Sequence, residues 1–136
     1  MIIQQLSIRI ENQSGASWRV FQNLADKGVN ILSYSIEHSP EFGMLRLLVD
    51  NVKTAEAVLS EQGFTIELTP VYTLNVPNEP GSMSSVLKHL YEHNISLDFL
   101  YAFQYRGISQ AVLHAQDMET LEEVMTAYER KLFSLN

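Results

Sequence analysis

At 136 residues the chain has the length of one ordinary domain, or of two small ones that share a core, and 46% of its residues are hydrophobic, enough for a packed globule. It has no cysteine, which excludes a disulfide framework and a thiolate metal site. The formal charge of −7 argues against nucleic acid as a partner, because neutralising phosphates needs a basic face.

The first residues, Met1-Ile2-Ile3-Gln4-Gln5, lack a basic segment and a long apolar core, so no signal peptide is expected. No apolar run approaches membrane-spanning length. The expectation is a cytoplasmic soluble protein with no membrane partner and no cofactor. Leu6, Ile8 and Ile10 alternate with polar residues, the period of a half-buried strand. Asn12-Gln13-Ser14-Gly15 reads as a loop. Ser17, Val20, Phe21 and Leu24 recur at helical spacing, and Gly28 ends that helix. A second strand runs through Tyr34 and Ile36, and Ser39-Pro40-Glu41-Phe42-Gly43 is a turn. Leu45, Leu47 and Val49 mark a third strand. Val52, Ala55, Val58 and Leu59 mark a helix started by Asp50 or Asn51, and Phe64, Ile66 and Leu68 a fourth strand.

The order then repeats. A strand from Tyr72 to Val76 leads into Asn78-Glu79-Pro80-Gly81 and a helix from Met83 to about Glu92. Pro80 is expected in the first helical turn, which tolerates its missing N–H. Gly81 leaves the helix mouth without a side chain, so that an anion could approach the free N–H groups. Strands from Leu97 to about Gln104 and from Gln110 to Ala115 follow, then a helix opened by Asp117, with a short last strand expected over Leu132 to Leu135. Asn78 stands 66 positions after Asn12 (78 − 12), and the register holds without a gap: Gly15 with Gly81, Val20 with Val86, Leu24 with Leu90, Leu47 with Leu113, Thr54 with Thr120, Val58 with Val124. The chain is therefore read as a tandem duplication, unit one over 1–69 and unit two over 70–136, with Pro70 at the join. Each unit is β-α-β-β-α-β, an α+β ferredoxin-like arrangement with helices on one face of an antiparallel sheet.

In this order of elements, in the Asn-x-Pro-Gly pattern of Asn78 to Gly81, and in Gly28-Val29-Asn30-Ile31 after the first helix, the chain resembles a tandem ACT-domain protein. The resemblance covers essentially the whole length. It implies a regulatory module that binds a small ligand, usually an amino acid, where two units meet. The contacts implied are the first strand-to-helix loop of one unit and the start of the second strand of its neighbour. One pocket would then combine Asn78, Glu79, Pro80, Gly81, Ser82 and Met83 with Asn30 and Ile31. The other would combine Asn12, Gln13, Ser14 and Gly15 with Ser96 and Leu97. The first keeps the whole pattern; the second departs from it at Ser14, in place of proline, and at Ser96, in place of asparagine.

Other signals weigh less. His89-Leu90-Tyr91-Glu92-His93 spells the His-x-x-Glu-His zinc motif of the inverzincins, and places the two histidines on neighbouring turns. The first copy has no counterpart, and a small repeated unit offers no scaffold for a third ligand, so a solvated helix edge is the expectation and no metal is assigned. No nucleophile elbow, phosphate-binding loop or dinucleotide fingerprint occurs, so an enzyme is not expected. His38 and His114 near strand ends read as structural, Glu79 as either a ligand contact or a first-turn carboxylate, and Trp18 as core or lid packing beside the first helix mouth.

Two functions remain: an amino-acid-binding regulator, and a ligand-free module that assembles with protein through its sheet. The sheet faces left bare by the helices differ. In the first copy that face reads Ser7, Arg9, Ser33, Ser35, Glu37 and Arg46. In the second it reads Thr73, Phe99, Tyr101, Phe103, Tyr105 and Val112, with Phe133 beyond. A bulge near the start of the second strand sets this phase, since Ile31 and Tyr34 are both apolar. An exposed aromatic stripe implies a partner, and a homodimer, or a mate in a hetero-complex, is expected across the second copy's sheet.

Overall fold

The computed structural model of the chain describes residues 1–11 and 15–134, with side chains to residue 132. Its elements are β1 (Ile2–Glu11), α1 (Ala16–Asp26), β2 (Ile31–His38), β3 (Phe42–Val49), α2 (Val52–Glu61), β4 (Thr65–Asn75), α3 (Ser82–Glu92), β5 (Leu97–Tyr105), β6 (Ile108–Ala115) and α4 (Met118–Ser134). The class is α+β, with two ferredoxin-like units in tandem. Gln4–Thr69 form one compact unit; Met1–Ile3 together with Pro70 onward form the other.

In the first unit the strand order is β2-β3-β1-β4; in the second it is β4-β6-β5. The registers repeat at the spacing of the duplication. Leu6 faces Leu47 and Tyr72 faces Leu113; Ile8 faces Leu45 and Leu74 faces Ala111. Register shifts fall between Ile31 and Ser33 in β2 and between Leu97 and Phe99 in β5, the bulge expected from the apolar phase.

The cores repeat as well. In the first unit Leu6, Ile8, Ile10, Leu45, Leu47 and Val49 of the strands pack against Val20, Leu24, Ala55 and Leu59 of the helices. In the second unit the same places hold Tyr72, Leu74, Val76, Ala111, Leu113, Ala115, Val86, Leu90, Leu121 and Met125. Leu45 and Ala55 become Ala111 and Leu121, so volume lost at one position is regained at another, which is how cores tolerate substitution.

The helix ends are local chemistry. Gly28 at φ 72° closes α1 in a Schellman turn, its N–H donating to Ala25 O and that of Val29 to Leu24 O. Asn94, at φ 57°, serves α3 in the same way. Asn51, rather than Asp50, caps α2, its Oδ1 accepting from the Thr54 N–H at 3.1 Å. Asp117 repeats this at α4 with Thr120 at 3.0 Å. The Thr120 hydroxyl and amide both donate to that carboxyl and hold it below its usual range.

Three expectations need correction. First, Pro80 is not in the first turn of α3. The N-cap is Gly81 at φ 85°, a left-handed conformation that no helical turn contains, so Pro80 precedes the helix. Second, no strand forms from Leu132: α4 continues to Ser134, and Leu135 lies outside the described residues. Gly63, at φ 88°, stops α2 two residues after Glu61, and its place in the second copy is taken by Glu129, which carries the helix on. The place beside β4 goes instead to the first residues of the chain. The Thr73 N–H donates to Met1 O at 2.9 Å, and the Met1 ammonium donates to Thr73 O at 2.9 Å. Third, Trp18 packs into no core and is 66% exposed.

Candidate functional site

The sequence-derived site centres on the start of α3. Val76 to Gly81 leave β4 in a tight turn: the Glu79 N–H donates to Pro77 O at 2.9 Å and the Ser82 N–H to Glu79 O at 3.2 Å. Gly81 then turns the chain through φ 85° into the helix, and no side chain caps its mouth. The Gly81 carbonyl accepts from the Ser85 amide at 3.0 Å and from the Ser85 hydroxyl at 3.1 Å. The Ser82 N–H is thus engaged, and the N–H groups that follow it in the first turn of α3, with no side-chain cap, are open to solvent or to an anion. A Cβ at Gly81 would meet nothing within 4 Å, so the glycine is there for its φ, and the space above it is open.

Asn78 is exposed and stands on the wall of a cavity of about 510 Å³. That cavity continues over Val76 and Pro77, across the β5–β6 turn at Gln104, Gly107 and Ile108, to Glu129 and Leu132 of α4. Of the loop residues expected to bind ligand, Asn78 lines this cavity; Glu79, Pro80, Gly81, Ser82 and Met83 do not. Glu129 has a fixed partner, since its carboxylate accepts the hydrogen bond of the buried Tyr72 hydroxyl. Burial first, and then this bond to Glu129, push the Tyr72 hydroxyl up to about 12. Gln104, Ile108 and Glu129 escape a sequence reading because they come from three separate segments; the Tyr105-Arg106-Gly107 turn is legible only as a turn.

In the first unit Asn30 is exposed at the head of β2. Its backbone is bound to Asp50, the Asn30 N–H donating to Asp50 Oδ1 at 2.9 Å and the Asp50 N–H to Asn30 O at 3.0 Å. Ile31 packs on the core of its unit and Leu97 on that of the other, while Ser96 is exposed. Gly15 repeats the geometry of Gly81, at φ 91° and again without a side-chain cap. Asn12, Gln13 and Ser14 lie outside the described residues.

The histidine pair of α3 has local partners. His93 Nδ1 lies 2.8 Å from the His89 carbonyl and His89 Nε2 lies 3.3 Å from the Val124 carbonyl, so each ring directs one nitrogen at the backbone. Among the described residues no cluster of three or more metal-ligating side chains occurs. His114 stacks on Phe99 and bonds to Asp98 at 3.0 Å. Among the described residues no helix is long and apolar enough to cross a membrane.

The sequence pattern of the ACT domain pair matches residues 1–134. A crystallised protein from Bacteroides thetaiotaomicron is similar to this chain at 29% identity and TM-score 0.88, over 95% of this chain and 90% of that one. The ligand-free regulatory subunit of aspartate kinase from Thermus thermophilus shares the fold at TM-score 0.62 and 14% identity, over 93% and 94% of the two chains. The corresponding subunit from Thermus flavus does so at TM-score 0.55 and 18% identity, over 94% and 95%. No curated protein matches the chain.

Proposed function

The chain belongs to the ACT domain pair family, and on that footing we propose that it is a regulatory protein that binds an amino acid or a similar small ligand and catalyses no reaction. The observation that carries this reading is the mouth of α3. It is uncapped, opened by the left-handed Gly81, and has the Asn78 amide beside it on a cavity wall. A carboxylate placed there would take the free N–H groups and the positive end of the helix dipole. Asn78 can accept from an ammonium or donate to a carboxylate, and Asn30 is proposed as a second ligand-binding amide. Polar groups matched in this way reject ligands that lack them.

A thermal-shift screen of the full chain against the proteinogenic amino acids tests the proposal. A true ligand at a hundredfold excess over its Kd should raise Tm by on the order of 5–10 °C. If none moves Tm, the binding function fails. A second reading, assembly with protein through the sheet, is favoured by Phe99, Tyr101 and Phe103, half-buried on the strand face of the second unit that carries no helix. The proposed partner there is a second copy of the chain.

A further inference from the structure

By sequence either Asp50 or Asn51 starts α2, and the cap falls to Asn51, which leaves the Asp50 carboxylate for another use. It reaches back 20 positions and accepts the Asn30 N–H at 2.9 Å. The Asp50 N–H in turn donates to Asn30 O at 3.0 Å. The two residues thus close a ring one position beyond Ile31 and Val49, the pair that ends the β2–β3 ladder. Among the described residues the Asp50 carboxylate enters no ion pair.

The ring fixes the backbone at a point where the strand alone holds it weakly. The ladder shifts register between Ile31 and Ser33, and a bulge disrupts pairing where it occurs. Before Asn30, the Val29 N–H is bound to Leu24 O and its side chain is buried; after it, Ile31 packs on the core. Asn30 itself is exposed, and Asp50 takes both its backbone N–H and its carbonyl. The second copy serves as the control. Sixty-six positions on, the equivalent residues are Ser96 and Gln116, and no side-chain bond joins them. The bulge is kept there, between Leu97 and Phe99. Neither the bulge nor the fold therefore requires the carboxylate. It accompanies the copy that has asparagine at the head of its second strand.

We propose that Asp50 is a positioning residue for ligand binding, holding the Asn30 backbone so that the exposed Asn30 amide meets the ligand in one orientation. The proposal rests on the reading of Asn30 as a ligand-binding amide. Fixing a residue's backbone before the ligand arrives removes an entropy cost that binding would otherwise carry. A contact held by hydrogen bonds from behind is also more exact than one left to a loose strand end. The role belongs to an acceptor oxygen rather than to the charge. Asp50→Asn retains such an oxygen and Asp50→Ala does not.

Two measurements on the ¹⁵N-labelled full chain test this. Without ligand, Asp50→Ala should speed amide exchange at Asn30 by roughly fivefold or more and leave Leu24 and Leu47 within about twofold, whereas Asp50→Asn should keep all three near the parent. Calorimetry then uses the amino acid that raises Tm most in the thermal-shift screen. Its Kd should weaken by roughly fivefold or more in Asp50→Ala and by less than about threefold in Asp50→Asn. Added to Asn30→Ala, Asp50→Ala should cost less than about twofold more, because it acts through Asn30. Affinity lost in Asn30→Ala but kept in Asp50→Ala overturns the positioning role and leaves the ligand role of Asn30 standing. Affinity kept in both variants, or no amino acid bound, overturns the ligand role of Asn30 and the positioning role with it. Unaltered exchange at Asn30 in Asp50→Ala, an Asp50→Asn variant that binds as weakly as Asp50→Ala, or a full second loss on top of Asn30→Ala overturns the positioning role as well.

Discussion

The Tyr72 hydroxyl donates a hydrogen bond to the Glu129 carboxylate, joining the second unit's part of β4 to α4. It replaces the glycine turn that the first copy has at Gly63. Burial and this bond raise the Tyr72 hydroxyl from its ordinary value near 10 to about 12, so the folded state holds its proton more tightly than the unfolded chain does. The stabilisation is fully present below about pH 10 and is lost as pH climbs from about 10 through 12. Allowing for solvent at the carboxylate, it amounts to on the order of 1 kcal/mol. Tyr72→Phe should remove this part of the alkaline loss of stability, read as urea midpoints between pH 9 and 12. A variant with the same alkaline slope as the parent would refute the assignment.

The first three residues belong to the second unit, and this too can be measured. Met1 exchanges backbone hydrogen bonds with Thr73, whose hydroxyl also donates to Met1 O at 3.2 Å, and Ile2 packs against the second core. Deleting residues 1–3 should cost about 2–4 kcal/mol, from lost apolar burial and unpaired backbone groups. Amide exchange at Thr73 should quicken with it. A truncated protein as stable as the parent to within about 0.5 kcal/mol would show that these residues add nothing to the fold.

Much of this architecture is legible in the chain because the duplication states it twice. A helix start at Asp50 or Asn51 and its repeat at Asp117, the bulge near Ile31, and the matched cores follow from apolar spacing and turn residues, while the choice of Asn51 as cap comes from the structure. What misleads is the assumption that the copies end alike. A single exchange, Gly63 for Glu129, removes the left-handed stop, so a segment that alternates like a strand stays in α4. The edge it vacates is taken by residues 72 positions away in sequence from their partner, which no local pattern announces. The site divides in the same way. Gly81 and Asn78 are legible from the loop motif, whereas Ile108 and Glu129 reach the cavity by tertiary packing.

Asn78→Ala should weaken amino-acid binding by roughly 1–3 kcal/mol, the cost of removing a hydrogen bond to a charged group. Calorimetry that finds unchanged affinity would sink the role given to Asn78. The copies should also respond unequally. Asn30→Ala should harm the stronger site more than Ser96→Ala does, because the complete loop is paired with Asn30 in the proposed arrangement. The reverse order would mean that the loops have been matched to the wrong strands.

The last prediction concerns assembly. The registers place Thr73, Val112 and Tyr101 in one row across the second sheet, with Phe103 and Phe99 on the same face; in the first sheet that row reads Ser7, Arg46 and Ser35. Within its own unit the aromatic face is partly closed. Val112 is fully buried, Phe99 lies against Tyr101 and stacks on His114, and the three aromatics are half-buried rather than bare. Tyr105 at the end of β5 is 37% exposed, and the Phe133 side chain lies outside the described residues. Burying what remains exposed of each ring could contribute up to about 2 kcal/mol to association, against no comparable gain on the serine and arginine face of the first unit. Sedimentation at micromolar concentration should therefore find a dimer, and Phe99→Ser combined with Phe103→Ser should return it to a monomer. Parent protein that sediments as a soluble monomer, with its mass unaltered by both substitutions, would reject this face as the interface.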